Sequence, residues 1–222
     1  MRMNRALSVL GALLMLTVVG CATTPVCQIY FVPIGTFPDT MTQDLVRHYD
    51  QALKLRIRPL PALPVTDDMV DPAREQLIGE EVIRKMKEQW PDLATDPNVR
   101  LLGMTSDDMF IRSKQWHFAF AIRKEGRFAL VSKHRMDPTF FKLPPNDDVM
   151  VTRLRKMLTK QIGLQYYGLP NRQEKTSVLF SSILGLDDLD AMSPEFDAVD
   201  RERIAQLPRP CPIQPQSTKP AM

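Results

Sequence analysis

Residues 100–108 read RLLGMTSDD, an apolar run that is followed at once by small polar and acidic residues. A short apolar run of this kind indicates a buried strand, and the polar residues after it are typical of a turn or a helix cap. Residues 116–122 and 128–132 are two further runs rich in β-forming residues, and Lys-Glu-Gly-Arg at residues 124–127 lies between them. A glycine in so short a connection predicts a β-hairpin.

Strands and helices alternate on both sides of these runs. Strands are predicted at residues 29–33 and 55–60, and a proline-bounded loop at residues 59–72. Helices are predicted from Thr40 or Thr42 to Leu53, from Asp71 to about Gln89, and from Asp147 or Asp148 to about Tyr167. This order predicts an α/β or α+β sandwich that contains a mixed sheet.

The N-terminal segment has the features of a secretory signal in their usual order. Arg2 and Arg5 precede an apolar run at residues 6–19, and Gly20 stands before Cys21. The run is too short for a comfortable membrane-spanning helix. The arrangement resembles the lipobox of bacterial lipoproteins, which implies cleavage before Cys21 and attachment of acyl chains such as palmitate to that cysteine. An ordinary signal peptide with a chance cysteine is the alternative.

The same resemblance implies where the mature protein lies. Ala22, not aspartate, follows the cysteine, which in similar lipoproteins favours transfer to the outer membrane. We therefore expect a lipid-anchored protein of the cell envelope, on the periplasmic face of the outer membrane. Residues 21–28 form a short tether, because eight residue steps span at most about 29 Å.

Composition and charge exclude some functions. The chain of 222 residues has 29 basic and 26 acidic side chains, a net charge of +3. Removal of residues 1–20 takes away Arg2 and Arg5 and no acid, which lowers the net charge to +1. Because no basic stripe is present, no nucleic acid partner is expected. One domain is predicted at residues 29–207, and the proline-rich residues 208–222 predict an extended tail.

The chain has three cysteines. Once Cys21 is assigned to lipid, Cys27 and Cys211 remain as a pair in an oxidising compartment, where a disulfide is chemically plausible. Two unpaired thiols are the alternative.

Several stretches, in this order, resemble the archaemetzincins, a group of zinc-peptidase-like proteins. Residues 29–35 resemble their opening strand, residues 102–110 a strand-to-turn segment, and residues 118–132 the hairpin that borders the substrate cleft. Residues 177–182 and 189–196 are similar to the methionine-containing turn and the final helix. The resemblance implies a metzincin-like α+β fold: a mainly parallel, twisted sheet with an antiparallel edge hairpin, packed by helices.

The zinc motif of these relatives is degenerate in this chain. Active members carry H-E-x-x-H-x-x-G-x-x-H on a long helix, where histidines hold zinc and the glutamate activates water. The matching stretch, residues 160–170, reads KQIGLQYYGLP, in which the later glycine is displaced by one residue to Gly168. The positions of the ligands and the base are then occupied by Lys160, Gln161, Leu164 and, near the third ligand, Pro170. Leu179 stands where the turn methionine would be.

Each replacement removes a property that zinc catalysis needs. A lysine ammonium, with an ordinary pKa of about 10.4, offers no lone pair at neutral pH and repels a dication. Leucine has no donor atom, and glutamine cannot accept a proton from water. We therefore predict a pseudoenzyme that has no cofactor, although zinc is expected in the relatives. Lys160 is either solvated or pairs its charge with a carboxylate.

Other candidate sites are weaker. His48, His117 and His134 lack metal-ligand spacing on one helix. Ser132 and His134 point the same way in a predicted strand, but no acid orients the histidine, so a serine hydrolase is disfavoured. The acidic run at residues 187–190 lacks the glycine and the glutamate of an EF-hand loop, which favours helix capping.

Three functional hypotheses follow. In the first, the domain is a non-catalytic pseudo-peptidase that binds a peptide or an envelope protein, or acts as a scaffold, and an edge strand at residues 116–122 receives an extended peptide. The candidate groove residues are Trp116, Phe118, Phe120, Tyr166 and Tyr167, of which the two tyrosines either line the groove or pack. The alternative is a divergent metallopeptidase or hydrolase with an unconventional site, for example with Lys160 as base. The third is a purely structural lipoprotein.

Overall fold

The computed structural model describes residues 27–207. The predicted signal and tail, with Cys21 and Cys211, lie outside the described residues. The strands are β1 (Gln28–Ile34), β2 (Ile57–Pro59), β3 (Val70–Asp71), β4 (Gln76–Ile78), β5 (Val99–Thr105), β6 (Met109–Phe110), β7 (Ala121–Lys124) and β8 (Phe128–Ser132). The helices are α1 (Asp39–Leu53), α2 (Gly79–Gln89), α3 (Pro91–Thr95), α4 (Asp147–Gln165), α5 (Leu186–Ala191) and α6 (Ala198–Gln206).

The main sheet has five strands in the order β2-β1-β5-β8-β7. The first four are mutually parallel, and β7 pairs antiparallel with β8 at the edge. β5 and β8 are buried along their whole length, as expected for parallel strands that are covered on both faces. The structure confirms the predicted mixed, mainly parallel sheet with an antiparallel edge hairpin.

Helices cover both faces of this sheet. Leu102 and Val131 point to the side of α1 and α4, while their neighbours Leu101 and Leu130 point to the side of α2. This alternation follows from the two-residue period of a strand. Each face therefore has its own apolar core, and the helix that matters for the site, α4, lies on the first of them.

The first strand of the hairpin is shorter than predicted and begins later. It starts at Ala121, not at Trp116, and continues to Lys124. Phe120 still accepts the Ser132 N–H, but the chain before it is held elsewhere: Arg74 donates to Trp116 O and Gln76 donates to His117 O. The predicted strand over residues 116–122 is therefore wrong in its bounds.

The helix predicted from Asp71 begins eight residues later, at Gly79. The Asp71 carboxylate accepts hydrogen bonds from the main-chain N–H groups of Ala73 and Arg74, which folds this stretch into a turn. Residues 76–78 then pair in parallel with β6 and form a small second sheet, in the order β3-β4-β6. The predicted loop at residues 59–72 likewise contains β3.

Both ends of α4 are fixed by side chains. Asn146, not one of the predicted aspartates, caps the first turn, and its Oδ1 accepts the Val149 N–H at 3.1 Å. At the other end the buried Arg100 of β5 donates from Nε to the Gln165 carbonyl oxygen at 2.8 Å. The helix ends at Gln165, and Gly168 turns the chain away with a φ of 64°. Within residues 27–207, no helix is both long enough and apolar enough to cross a membrane.

Candidate functional site

A cleft of about 590 Å³ lies between the edge strand β7 and the second half of α4. One wall consists of Ile111 and residues 113–124, which include Trp116, Phe118 and Phe120 of the predicted groove. Lys160 and Gln161 of α4 line the same cleft, and residues of the 171–184 segment complete it. The fold therefore brings together the aromatic wall and two positions of the degenerate motif.

The aromatic wall is held by polar contacts behind it. The Glu80 carboxylate accepts the N–H groups of Arg112 and Ser113, both at 3.0 Å. Arg135 forms a bidentate ion pair with Asp108 and places its guanidinium 4.4 Å from the centre of the Phe118 ring. These contacts fix the irregular segment before β7, so the wall is preformed.

The edge of β7 that faces the cleft has free hydrogen-bonding groups. Ser132 donates its N–H to the Phe120 carbonyl, and the same register pairs Ile122 with Leu130. Hydrogen-bonded and non-hydrogen-bonded pairs alternate along an antiparallel ladder, so Ala121 and Arg123 direct their main-chain N–H and C=O groups away from β8. Both residues line the cleft.

Lys160 is buried in the cleft floor, with 7% of its surface exposed. Its ammonium donates to the carbonyl oxygen of Phe180. Burial first, and then the positive charge of Arg123, lower the pKa of Lys160 to about 8. None of the ion pairs among residues 27–207 includes Lys160. Both sequence-based alternatives, a solvated lysine and a lysine paired with a carboxylate, are therefore wrong.

The other two helix positions of the motif differ from each other. Gln161 is buried, with 4% of its surface exposed, and its Oε1 has no hydrogen-bond partner among residues 27–207. Leu164 is half-buried and packs against the core on the side of α1 and α4. The predicted position of the second ligand thus contributes only hydrocarbon.

The third ligand position predicted from the sequence lies near Pro170. Pro170 is exposed and does not line the cleft, whereas the next residue, Asn171, does. Gly168 stands one residue later than the glycine of the motif, and this displacement was a sequence signal for the residue after Pro170.

Tyr166 and Tyr167 do not line the cleft. Both are buried, their rings pack edge to face with centroids 5.0 Å apart, and Tyr167 packs in the same way on Phe196. The structure therefore favours the packing interpretation for these two residues.

The turn after α4 packs closely beneath the cleft. A Cβ atom on Gly163 would lie 2.7 Å from both Leu179 Cδ2 and Phe196 Cε1. The Ser177 hydroxyl accepts the Leu179 N–H at 3.1 Å, which shapes the turn that carries the Phe180 carbonyl to Lys160. Leu179, at the methionine position, is thus a packing residue under the helix.

The cleft is rich in positive charge. Its lining includes four cationic side chains and, within the described part of the chain, no aspartate or glutamate; the cations are Lys114, Arg123, Lys124 and Lys160. Arg123 is accessible to solvent, but the walls displace much of its hydration and lower the pKa of its guanidinium. Such a cleft favours anions.

The donor set does not fit zinc. Zinc in a catalytic site needs three protein ligands with lone pairs. An ammonium and a hydrocarbon occupy the two ligand positions predicted on α4, residues 160 and 164, and an amide occupies the predicted base position, residue 161. Between Cys27 and Leu207, no three His, Cys, Asp or Glu side chains cluster closely enough to hold a metal ion.

Cys27, the first described residue, is buried beside the start of β1. Its predicted disulfide partner, Cys211, lies outside the described residues, so the pairing stays a prediction.

No family model matches this chain. It is 27% identical over 177 residues to an archaemetzincin of Thermococcus kodakarensis. The matched region covers 76% of this chain and 90% of that protein.

Three solved structures have a similar fold. A zinc-dependent peptidase from Methanocorpusculum labreanum superposes with a TM-score of 0.67 at 18% identity, covering 79% of this chain and 99% of its own. The archaemetzincin of Archaeoglobus fulgidus, solved with malonate, gives a TM-score of 0.62 at 19% identity over 79% of this chain and 99% of that one. The archaemetzincin of Methanopyrus kandleri gives a TM-score of 0.62 at 20% identity, and the match covers 81% of this chain and 94% of that one. The described domain therefore has the fold of the archaemetzincin-like zinc peptidases.

Proposed function

We propose that this domain is a non-catalytic pseudo-peptidase that binds an extended peptide, or an extended segment of an envelope protein, in its cleft. The observation that carries the proposal is the free edge of β7, which faces a preformed cleft. The two ligand positions predicted on α4, residues 160 and 164, are a lysine and a leucine. Binding of this kind needs main-chain hydrogen bonds and side-chain pockets but no metal.

The edge strand supports strand addition. Ala121 and Arg123 each offer one outward N–H and one outward C=O, the repeat that an added strand requires. The aromatic wall lies next to this edge, with Trp116 about half exposed and Phe118 half-buried. An added strand could therefore bury its side chains against these rings.

The loss of catalysis follows from the same positions. Gln161 cannot take a proton from an attacking water, and the Lys160 ammonium disfavours a nearby dication. A peptide that binds at β7 would then stay intact. In this proposal the cleft binds a peptide, and the chain lacks the zinc-dependent chemistry of its relatives.

We also propose that the domain is anchored in the cell envelope. The N-terminal segment supports this, because Arg2, Arg5 and the apolar run before Cys21 resemble a lipoprotein signal. The acylated Cys21 would insert in the bilayer on the periplasmic face of the outer membrane. A disulfide between Cys27 and Cys211 would hold the proline-rich tail beside this anchor.

One observation favours a second function, hydrolysis at a divergent site. A pKa of about 8 makes Lys160 a better general base near neutral pH than an ordinary lysine. In that case the original chain hydrolyses a peptide library and Lys160→Met does not. Our main proposal expects no hydrolysis by the original chain or by the variant.

Two measurements test the main proposal. Elemental analysis after incubation with zinc should find far less than one zinc ion per chain, and casein should remain intact. Binding of a blocked, labelled hexapeptide of alternating threonine and valine should be lost in Ala121→Pro, which removes one outward N–H without breaking a bond to β8. The control Ala121→Val keeps that N–H and should bind. Equal binding by both variants would contradict strand addition at β7.

A further inference from the structure

We infer that the cleft selects peptides that carry a carboxylate group, and that Lys160 and Arg123 bind this carboxylate together. The inference rests on the proposed peptide binding and specifies the chemistry of the ligand. It starts from an imbalance of charge in the cleft, where the lining cations have no acidic counterpart.

The two central cations lie close enough to repel each other. The charge of Arg123 disfavours the protonated form of Lys160, and no ion pair among residues 27–207 includes either side chain. Lys160 is buried and has only a neutral carbonyl group as its hydrogen-bond partner, and a buried charge is costly unless an opposite charge pairs with it. An anion bound between the two would supply the missing charge.

Lys160 has donors left for such an anion. An ammonium has three N–H donors, and one of them is taken by the Phe180 carbonyl. Two donors remain, and Lys160 forms part of the cleft lining. Arg123 belongs to β7 itself, so a strand added to this edge would run beside its guanidinium.

Gln161 indicates that the anion is part of a peptide. Its buried Oε1 has no partner among the described residues and needs a donor, which an anion without a proton, such as chloride or sulfate, cannot supply. An extended peptide offers main-chain N–H groups as donors together with a carboxylate. A carboxylate-bearing peptide therefore satisfies both Lys160 and Gln161.

The mouth of the cleft supports the same charge preference. Lys114 and Lys124 line it and have the same sign as the two inner cations. Cations around a cleft raise the local concentration of anionic ligands and accelerate their association, and salt screens this effect.

The test uses three labelled hexapeptides and the full-length chain in a mild detergent. The reference peptide has alternating threonine and valine with one central glutamine and both ends blocked. The second peptide has glutamate in place of that glutamine, and the third keeps the glutamine but has a free C-terminal carboxylate. The last two distinguish a side-chain carboxylate from a terminal one. Binding is measured by fluorescence anisotropy at pH 7 and low salt.

We expect at least one carboxylate peptide to bind about tenfold or more tightly than the reference peptide. Lys160→Met and Arg123→Gln should each reduce this preference severalfold, while Lys54→Met should retain it, because Lys54 follows α1 beside the opposite edge of the sheet. Arg123 is accessible on the edge strand, so its variant keeps the test valid if Lys160→Met fails to fold.

Three results overturn the inference. If all three peptides bind equally well, peptide binding stands but the carboxylate preference does not exist. If the preference survives in both Lys160→Met and Arg123→Gln, other groups bind the carboxylate. If no peptide binds, the proposed function fails together with the inference.

Discussion

Replacement of Lys160 by methionine should change how the stability of the domain depends on pH. The folded-state pKa of Lys160 is about 8, against an ordinary value of 10.5, chiefly because the side chain is buried. Each unit of difference corresponds to about 1.4 kcal/mol, so the protonated lysine costs the folded state about 3 kcal/mol at neutral pH. Only 7% of the side chain is exposed, so solvent screens this cost little.

The direction in which the free energy of unfolding changes with pH follows from the number of protons bound in the folded and unfolded states. Between pH 8 and 10.5 the unfolded chain keeps the proton of Lys160 while the folded chain has lost it, so the free energy of unfolding rises with pH. Most of the cost, roughly 2.5 kcal/mol, should disappear between pH 7 and pH 10. Lys160→Met lacks this titration and should lack the rise.

Urea unfolding of both full-length proteins at several pH values from 7 to 10 measures the effect. The quantity to compare is the difference in the free energy of unfolding between the two proteins at each pH, because titrations that both proteins share cancel in it. Methionine also leaves the Phe180 carbonyl without its donor, which costs about 1–3 kcal/mol at every pH. Lys54→Met, an exposed control, should follow the original chain. A difference between the original chain and Lys160→Met that stays constant within about 0.5 kcal/mol from pH 7 to 10 would refute a folded-state pKa of about 8 for Lys160.

Three further outcomes are expected. Gly163→Ala should destabilise the domain by about 1–3 kcal/mol in urea unfolding, although alanine favours helices, because the new Cβ meets Leu179 and Phe196 at 2.7 Å; a gain in stability would contradict this packing. Binding of a carboxylate peptide should weaken as the pH rises from 7 to 9, because Lys160 loses its proton near pH 8, and a pH-independent affinity would exclude Lys160 from the contact. Cys21→Ser should move the protein from the membrane fraction to the soluble fraction on cell fractionation, whereas continued membrane association would contradict lipid anchoring at that residue.

The main sheet could be predicted because its strands are continuous apolar runs. β1, β5 and β8 are buried on both faces, so their apolar residues stand together in the sequence. β3, β4 and β6 have only two or three residues each and carry no such pattern. The start of α2 was misplaced for a similar local reason, since the Asp71 carboxylate caps a turn where proline suggested a helix.

The candidate site could be predicted only in part. The degenerate motif located Lys160 and Gln161 on the long helix, and the hairpin located the wall that contains Phe118. The proximity of Arg123 to Lys160 could not be predicted, because it depends on how β7 packs beside α4 across the cleft. The burial of Lys160 was also missed, since lysine is ordinarily found at the surface.

The contact between Arg100 and the end of α4 has a consequence for motion. The guanidinium joins the carbonyl of Gln165 to the central strand β5, so this hydrogen bond opposes fraying of the last turn of the helix while that strand stays in place. Amide hydrogens of residues 161–165 should therefore exchange with deuterium only when the whole sheet opens. The floor of the cleft would then be among the slowest-exchanging parts of the protein, and a bound ligand would contact a rigid surface there.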